Sequence, residues 1–233
     1  MQQDTTARVA LITGASRGIG AEVAQQLATS GTHSIVNYRA NAERAEGIAE
    51  TIRAAGGQAS TIRADIADEA STAAMIDDIG RRFGRLDALV LTALGGPRVG
   101  LDPRHAMRLN RDAQRRLARL ALPLMPAGGH IVFVTSHQAH FFPHKAVPKG
   151  YGPIAASKRA GETALYAMRP EFDRHGVHFT VVSGAMLDEM TIADLWQRRE
   201  PEAEFASAVV HAATAPKPSG IVFVGRAEYL MTA

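Results

Sequence analysis

The 233-residue sequence predicts a three-layer α/β fold, with seven parallel strands in one sheet and helices on both faces. Short apolar runs such as VALIT (9–13) and HIVFVTS (130–136) are typical of strands buried on both faces. Segments of helical length separate these runs, and the connections are short. The length and the 46% apolar content suit one domain over residues 1–233.

The first half of the chain alternates strands with helices. Gly31 stops the first helix, Asn41 caps the second, and Gly56-Gly57 ends it. We predict strands over 9–13, 33–38, 59–64 and 86–93, and helices over 18–30, 41–55 and 71–83.

The second half continues the alternation. The helix beginning at Pro153 is expected to end or kink at Pro170, because proline removes a backbone donor and clashes with the preceding turn. We predict strands over 130–136, 178–183 and 220–225, and helices over 103–124, 153–169 and 201–214.

Composition excludes several classes of function. There is no cysteine, so disulfides and thiol catalysis are excluded. No apolar run reaches the roughly 18 residues of a membrane span, and the first residues lack the layout of a secretory signal. We therefore expect a cytoplasmic protein without a membrane partner, and the net charge of +3 gives little support for nucleic acid.

The stretch TGASRGIG (13–20) lies where the first strand turns into a helix. Gly14, Gly18 and Gly20 would let the backbone approach a pyrophosphate, and the helix N-terminus would offer free N–H groups to the anion. The pattern TGxxxGxG at this turn resembles the short-chain dehydrogenase/reductase superfamily. The resemblance covers nearly the whole chain in element order, and it implies a Rossmann fold that binds a nicotinamide cofactor.

The resemblance assigns roles to several other positions. Asp65 matches the aspartate near the adenine ring, Asn110 an active-site asparagine and Ser136 the catalytic serine. Alternatively, these are a turn aspartate, a polar helix residue and a strand-end cap. The cofactor-binding residues implied are Gly14, Ser16, Arg17, Gly18, Ile19, Gly20, Tyr38, Arg39, Asp65, Ile66, Ala93, Lys158 and Gly184.

The end of the second strand favours NADP(H) over NAD(H). An acid there would hold the ribose diol of NAD, but the strand ends Asn37-Tyr38-Arg39. Arg39 and Arg17 are two guanidinium groups suited to a 2′-phosphate. The alternative is that both arginines are solvated surface residues.

The stretch YGPIAASK (151–158) departs from the superfamily pattern. The usual tyrosine lies four residues before the lysine, where this chain has Ile154. Tyr151 lies seven residues before Lys158, or two helical turns, so both can share one face. We expect Tyr151 on the loop entering the helix as the proton donor, with the Lys158 ammonium lowering its pKa. Otherwise Tyr151 is a loop aromatic that covers the pocket.

These residues predict an NADPH-dependent reductase of a ketone or conjugated enone. The Tyr-x6-Lys spacing resembles the enoyl-acyl carrier protein reductases, so a carrier-bound substrate is one possibility. Two alternatives remain: a non-catalytic NADP-binding regulator, and a reductase that takes its proton from water or from the substrate. The superfamily implies a homodimer or homotetramer built on helices 103–124 and 153–169.

Three further patterns bear on the site and its partners. His137, His140 and His144 are expected at the active-site rim, with no metal, because no cysteine or acid completes a ligand set. The segment 186–202, with Leu195 and Trp196, is expected to cover the substrate.

Arginines recur along one face of the helix over 103–124 at Arg104, Arg108, Arg111, Arg115 and Arg119. A solvated or subunit-facing stripe is favoured there over a carrier-protein or nucleic-acid partner.

Overall fold

The structure, a computed structural model, describes residues 7–92, 102–147, 149–184, 200–216 and 220–225. Its centre is a seven-stranded parallel sheet in the order β3-β2-β1-β4-β5-β6-β7. The strands are β1 Val9–Ile12, β2 His33–Tyr38, β3 Ala59–Arg63, β4 Ala88–Leu91, β5 His130–Ser136, β6 His178–Gly184 and β7 Ile221–Val224. The predicted sheet is confirmed, with strand ends shifted by up to two residues.

Helices cover both faces of the sheet. They are α1 Gly18–Thr29, α2 Ala42–Ala54, α3 Glu69–Phe83, α4 Pro103–Met107, α5 Gln114–Ala121, α6 His137–His140, α7 Gly152–Tyr166, α8 Arg169–Arg174 and α9 Glu200–Thr214. A π-helical segment, Arg108–Ala113, joins α4 to α5, and a 3-10 turn, Leu122–Leu124, follows α5.

Sequence reasoning placed most helices correctly but missed short ones. Asn41 caps α2 as expected, accepting a hydrogen bond from the Arg44 amide. The single helix expected over 103–124 is divided by the π-helical segment, and α6 and α8 were not predicted. Pro170 lies in the first turn of α8, and α7 ends at Tyr166, so the predicted interruption is present.

Two hydrophobic clusters, one on each face, hold the layers together. Alternate side chains of β1 enter opposite clusters, Leu11 on one face and Ile12 on the other. Leu11 shares its cluster with Leu117 and Leu165, from α5 and α7. On the other face, buried side chains of α1, α2 and α9 pack on the sheet, among them Leu27, Ile52 and Val209. Burial on both faces explains the nearly continuous apolar strands.

Parallel strands bring all their carboxyl ends to one edge of the sheet, where α/β proteins bind ligands. The glycine turn follows β1 at this edge, and Ser136 ends β5 there, paired in register with Gly184 at the end of β6. None of the helices in the described ranges is both long and apolar enough to cross a membrane.

Candidate active site

The glycine turn between β1 and α1 is closed tightly around its backbone. Gly14 and Gly18 have φ values of 63° and 55°, in the left-handed region that favours glycine. A Cβ on Gly20 would lie 2.9 Å from Thr92 Oγ1 and 3.0 Å from Gly14 O. These positions therefore require glycine, as the sequence predicted.

Neighbouring strands fix the position of the turn. The Thr13 amide donates to the Val90 carbonyl at 3.0 Å, and the Ala15 amide donates to the Asn37 carbonyl at 3.1 Å. The Thr92 amide donates to Thr13 Oγ1 at 3.1 Å, and its hydroxyl donates to the Thr13 carbonyl. β2 and β4 thus hold the turn from both sides.

The N-terminus of α1 fits a phosphate-bearing cofactor. Arg17 is its N-cap residue, with an extended backbone and no side-chain capping bond. No acidic residue occupies the first turn, so no protein carboxylate competes there for the helix dipole. Ser16 and Ile19 are half-buried and Arg17 is exposed. Free amides, a positive helix end and an exposed guanidinium suit a pyrophosphate.

The ends of β2 and β3 bring the next predicted residues together. Arg39 Nη1 lies 4.0 Å from Asp65 Oδ2, and the Arg39 side chain is 62% exposed. Asp65 Oδ1 also accepts a hydrogen bond from the Ala67 amide at 2.9 Å. Tyr38 is half-buried and packs against the hydrophobic cluster that contains Ile12 and Leu27. The Arg39 guanidinium is therefore held close to the sheet edge and remains open to a ligand.

The remaining cofactor-binding predictions divide into three cases. Ile66 is 4% exposed and its side chain belongs to the core, so only its main chain is left for a ligand. A side chain on Gly184 would collide with the ring of Phe205 in α9, so this glycine allows close helix packing. Ala93 lies outside the described residues. The segment 186–202, expected to cover the substrate, also lies outside them, except for the main chain of residues 200–202 at the start of α9.

Tyr151 and Ser136 meet at the sheet edge. Tyr151 is the N-cap residue of α7, on the entering loop as predicted. Its hydroxyl lies 3.3 Å from Ser136 Oγ, and the residue is half-buried. Ser136 also caps α6 by accepting a hydrogen bond from the Ala139 amide. The tyrosine hydroxyl is therefore directed toward the predicted serine.

Lys158 is buried in α7 without a compensating charge. It is 4% exposed, and no group in the described ranges forms a hydrogen bond or ion pair with its ammonium. Burial lowers the pKa of Lys158 to about 8. Ile154, one turn earlier, is also buried and places a hydrocarbon side chain where the superfamily has its phenol.

The expectation that Lys158 lowers the pKa of Tyr151 is wrong for this structure. Burial raises the pKa of Tyr151, and the hydrogen bond with Ser136 only partly opposes that shift. The physical reason is that a buried phenolate loses hydration, while the nearest polar partner is a neutral hydroxyl. Tyr151 is thus a phenol that stays protonated over the ordinary pH range.

Asn110 links the π-helical segment to α7. Its Nδ2 donates to Ser157 Oγ at 2.9 Å, and Ser157 donates to the Ile154 carbonyl at 2.9 Å. Gly161 permits this contact, because a Cβ there would overlap the Asn110 carbonyl oxygen. π-Helical turns occur often at functional sites, since the extra residue redirects side chains and carbonyls.

The histidine segment after Ser136 is built into the fold. His137 is fully buried, and its Nε2 lies 3.1 Å from the Ser183 carbonyl. His140 Nδ1 lies 2.9 Å from a carboxylate oxygen of Glu162, which Arg159 also binds at 2.8 Å. His144 is exposed. Over the ranges the structure covers, no three histidine, aspartate or glutamate side chains form a possible metal site.

A family comparison decides the affiliation. The family profile described as short chain dehydrogenase matches residues 8–200. The chain belongs to the short-chain dehydrogenase/reductase family. A 1-cyclohexenylcarbonyl-CoA reductase of Streptomyces collinus is 35% identical over 198 residues, which are 80% of this chain and 68% of the relative. A hydroxynaphthalene reductase of Aspergillus fumigatus is 32% identical over 196 residues, or 82% and 68% of the two chains.

Solved short-chain dehydrogenase/reductase structures share this architecture. A metagenomic short-chain oxidoreductase in complex with NADP superimposes with a TM-score of 0.76 at 27% identity, covering 93% of this chain and 96% of the other. The family relationship confirms the resemblance noted in the sequence, and it makes the chain an oxidoreductase of the class that binds nicotinamide cofactors.

Sequence reasoning missed the residues that support the site. Thr92 holds the glycine turn, and Ser157 carries the hydrogen bond of Asn110. The helical spacing of Ile154, Ser157, Lys158 and Gly161 indicates one shared face, which was available from the sequence. The partner of Ser157 was not, because it comes from a helix 47 positions away in the chain.

Proposed function

We propose that this short-chain dehydrogenase/reductase uses NADPH to reduce a ketone or a conjugated enone, with Tyr151 as the proton donor. One observation carries the proposal. The Tyr151 hydroxyl lies 3.3 Å from Ser136 Oγ on the ligand-binding edge of the sheet, although Ile154 fills the usual tyrosine position. A substrate oxygen placed between the two hydroxyls would receive hydrogen bonds from both.

The residues present fit a nicotinamide dinucleotide. The glycine turn and the uncapped N-terminus of α1 would hold the pyrophosphate, and Asp65 would lie near the adenine ring. Arg17 and Arg39 are both exposed, and they favour a 2′-phosphate and therefore NADPH. The solved relative with NADP bound supports this choice of cofactor.

Ser136 and Tyr151 have different roles in the proposed reaction. NADPH, when bound, supplies the hydride. For a ketone, Ser136 holds the carbonyl oxygen, and Tyr151 donates its proton to that oxygen to give the alcohol. For an enone, the β-carbon takes the hydride, the same phenol gives its proton to the enolate oxygen, and the resulting enol tautomerises to the saturated carbonyl product. Both reactions consume one proton besides the hydride.

In the proposed reaction, Lys158 contributes a positive charge from a buried position. It is 4% exposed, and in its protonated form it would hydrogen-bond the cofactor ribose hydroxyls. Asn110 would help hold a water chain to Lys158, and its side chain is fixed by a hydrogen bond to Ser157, the residue before the lysine. The charge is felt strongly there because the surroundings are of low dielectric constant.

Two finer features belong to the proposal. The Streptomyces relative is a reductase of a CoA thioester, which supports a carrier-bound enone or ketone as one substrate class. Self-association as a homodimer or homotetramer is proposed from family membership and is measured by sedimentation velocity.

Turnover on a substrate panel tests the function. The purified protein is mixed with NADPH or NADH and with diketones, β-ketoesters and enones, both free and as CoA thioesters, and nicotinamide absorbance is followed. We expect oxidation of NADPH with at least one ketone or enone, and a lower rate with NADH. Tight NADPH binding without turnover on the whole panel would contradict the reductase.

Ile154 also favours a second candidate, a non-catalytic NADP-binding regulator. A hydrocarbon in the usual tyrosine position cannot donate a proton, and the phenol of Tyr151 has a raised pKa, which makes it a weaker acid. The regulator would bind NADP without turnover, and the panel separates the two functions.

A further inference from the structure

The short helix α6 connects the proposed active-site serine to the histidine segment. It begins directly after Ser136, whose Oγ accepts a hydrogen bond from the Ala139 amide at 3.3 Å. A single turn of helix is too short to be stable by itself. Contacts with the rest of the fold must therefore fix the position of α6, and with it the position of the Ser136 hydroxyl.

Two histidines attach α6 to neighbouring elements. At the start of α6, His137 Nε2 lies 3.1 Å from the Ser183 carbonyl of β6. At its end, His140 Nδ1 lies 2.9 Å from Oε1 and 3.0 Å from Oε2 of Glu162, which belongs to α7. Because a carboxylate only accepts hydrogen bonds, this nitrogen carries a hydrogen in the neutral as well as in the charged imidazole. The link between α6 and α7 is therefore retained across neutral pH.

Glu162 is a fully buried acid with two hydrogen-bond donors. Its side chain is 0% exposed, and Arg159 Nη1 donates to its Oε1 at 2.8 Å. Arg159 and Glu162 both belong to α7, so this bond does not hold α6. The bond from His140, in contrast, joins the two helices. A buried carboxylate that loses a hydrogen bond is destabilised, so the pair of His140 and Glu162 resists separation.

We propose that His140 and Glu162 are positioning residues that hold the Ser136 hydroxyl against the Tyr151 hydroxyl. Tyr151 begins α7, and Glu162 lies about three turns further along the same helix. The pair therefore ties the segment that carries the serine to the helix that carries the phenol. Its effect on catalysis rests on the proposed function, in which both hydroxyls bind the substrate oxygen. The positioning is a property of the protein without cofactor or substrate.

The contact between Ser136 and Tyr151 is sensitive to the position of α6. The two hydroxyl oxygens are 3.3 Å apart, which is longer than the usual O–H···O distance of about 2.5–3.0 Å. A small further separation would therefore lose the hydrogen bond. It would also move one hydroxyl out of reach of a substrate oxygen that both must contact at once.

Fluorine NMR of the full chain tests the positioning without turnover. The four tyrosines are labelled as 3-fluorotyrosine, and the Tyr151 signal is identified by its loss in Tyr151→Phe. His140→Phe removes the donor but keeps a ring beside Phe141 and Phe223, whose centroids lie 4.8 Å and 5.3 Å from that of His140. Glu162→Leu removes the acceptor. We expect each variant to shift the Tyr151 signal, because the phenol loses the Ser136 hydroxyl.

Conservative variants separate the hydrogen bond from general packing. An asparagine amide can still donate and a glutamine amide can still accept, so His140→Asn and Glu162→Gln should keep the Tyr151 signal near its parent position. Arg159→Met is the matched control, because it removes the other donor to Glu162 but no bond between the two helices. It should leave the signal unchanged. Circular dichroism checks that each variant folds.

Kinetics on the best substrate of the panel test the consequence for catalysis. We expect His140→Phe and Glu162→Leu each to lower kcat about tenfold with NADPH affinity unchanged. The double variant should be no slower than either one, because both changes remove the same bond. Lower stability with an unmoved Tyr151 signal, or an unchanged kcat in both variants, would overturn the proposal. A shifted signal in a protein that turns over no substrate would support the positioning pair and contradict the reductase.

Discussion

At the scale of single residues, the proposed site contains a buried lysine and a half-buried tyrosine whose ionisation is shifted. Lys158 has its pKa lowered to about 8 by burial, and Tyr151 has its pKa raised by burial. Both shifts favour the neutral form. Before cofactor binds, the site is therefore less charged than the Tyr-Lys pair would be in water.

Lys158→Met tests the cost of burying the ammonium. The folded state binds the Lys158 proton less tightly than the unfolded chain does. Below pH 8 the buried ammonium therefore lowers the free energy of unfolding by on the order of 3 kcal/mol. That cost decreases as pH rises from about 8 to 10.5, the ordinary lysine value. We expect the variant without cofactor to be more stable than the parent at pH 7, with the difference shrinking above pH 8. Urea unfolding across pH measures it, and a variant less stable at pH 7 would contradict the assignment.

The pH dependence of kcat/KM for NADPH reports the same group in the free enzyme. If the ammonium binds the cofactor, kcat/KM should be flat below pH 7 and fall about tenfold per pH unit above pH 8. Tyr151 does not cause this decrease, because burial raises the pKa of its phenol. The inflection should therefore stay at the same pH in Tyr151→Phe, even though that variant is slower. An inflection that disappears in the phenylalanine variant would assign it to the phenol.

At the scale of helices and strands, the close contact of α7 with the π-helical segment positions Asn110. Two features make the contact possible: the absence of a side chain at Gly161, and the extra residue of the π turn. Together they bring the Asn110 amide to Ser157, the residue before Lys158. A regular α-helix over 103–124, as the sequence predicted, would place these side chains differently.

Gly161→Ala tests that contact. The added methyl would overlap the Asn110 carbonyl oxygen, so α7 must shift, and we expect a loss of about 1–3 kcal/mol in the free energy of unfolding with a lower kcat. Gly47→Ala is the control, because nothing lies within 4 Å of its added methyl and alanine favours the helical conformation of α2. Denaturant unfolding of both variants should give opposite signs. Equal effects would mean that helix propensity, and not packing, determines the result.

The strands and main helices were easier to predict from the sequence than the segments that connect them and the contacts between distant helices. Apolar runs and caps such as Asn41 located the seven strands and the main helices, because burial and local hydrogen bonds determine them. The π turn at Arg108–Ala113 could not be predicted, since no local pattern in the sequence marks it, and neither could its close approach to Gly161 of a distant helix. The position of Tyr151 before α7 was predictable from Pro153, but its raised pKa depends on burial by the folded chain.

At the scale of the whole molecule, the proposed cofactor site joins the first half of the sheet to the second. The glycine turn, Arg39 and Asp65 lie at the ends of β1 to β3, whereas Ser136 and Tyr151 lie beside the end of β5. A dinucleotide that spans this edge stabilises the folded chain by mass action. The stabilisation should depend on the 2′-phosphate if Arg17 and Arg39 hold it.

Thermal unfolding with each cofactor tests this dependence. At a hundredfold excess over its dissociation constant, NADPH contributes about 2.7 kcal/mol, which corresponds to an increase of roughly 5–10 °C in Tm for a chain of this size. We expect a smaller increase with NADH at the same concentration. Arg17→Ala with Arg39→Ala should remove the difference between the cofactors, whereas Arg81→Ala should preserve it. A larger shift with NADH in the parent protein would reverse the proposed preference.

The central claim is that Tyr151, outside the usual position, gives the proton during reduction. The most direct measurement compares kcat of the parent and of Tyr151→Phe on the best substrate of the panel, with NADPH affinity measured in parallel. General acid catalysis of this kind contributes about 10²–10⁴-fold, so we expect kcat to fall by about a hundredfold or more while NADPH affinity is unchanged. An unchanged kcat would show that the proton comes from water or from the substrate, and would contradict the account.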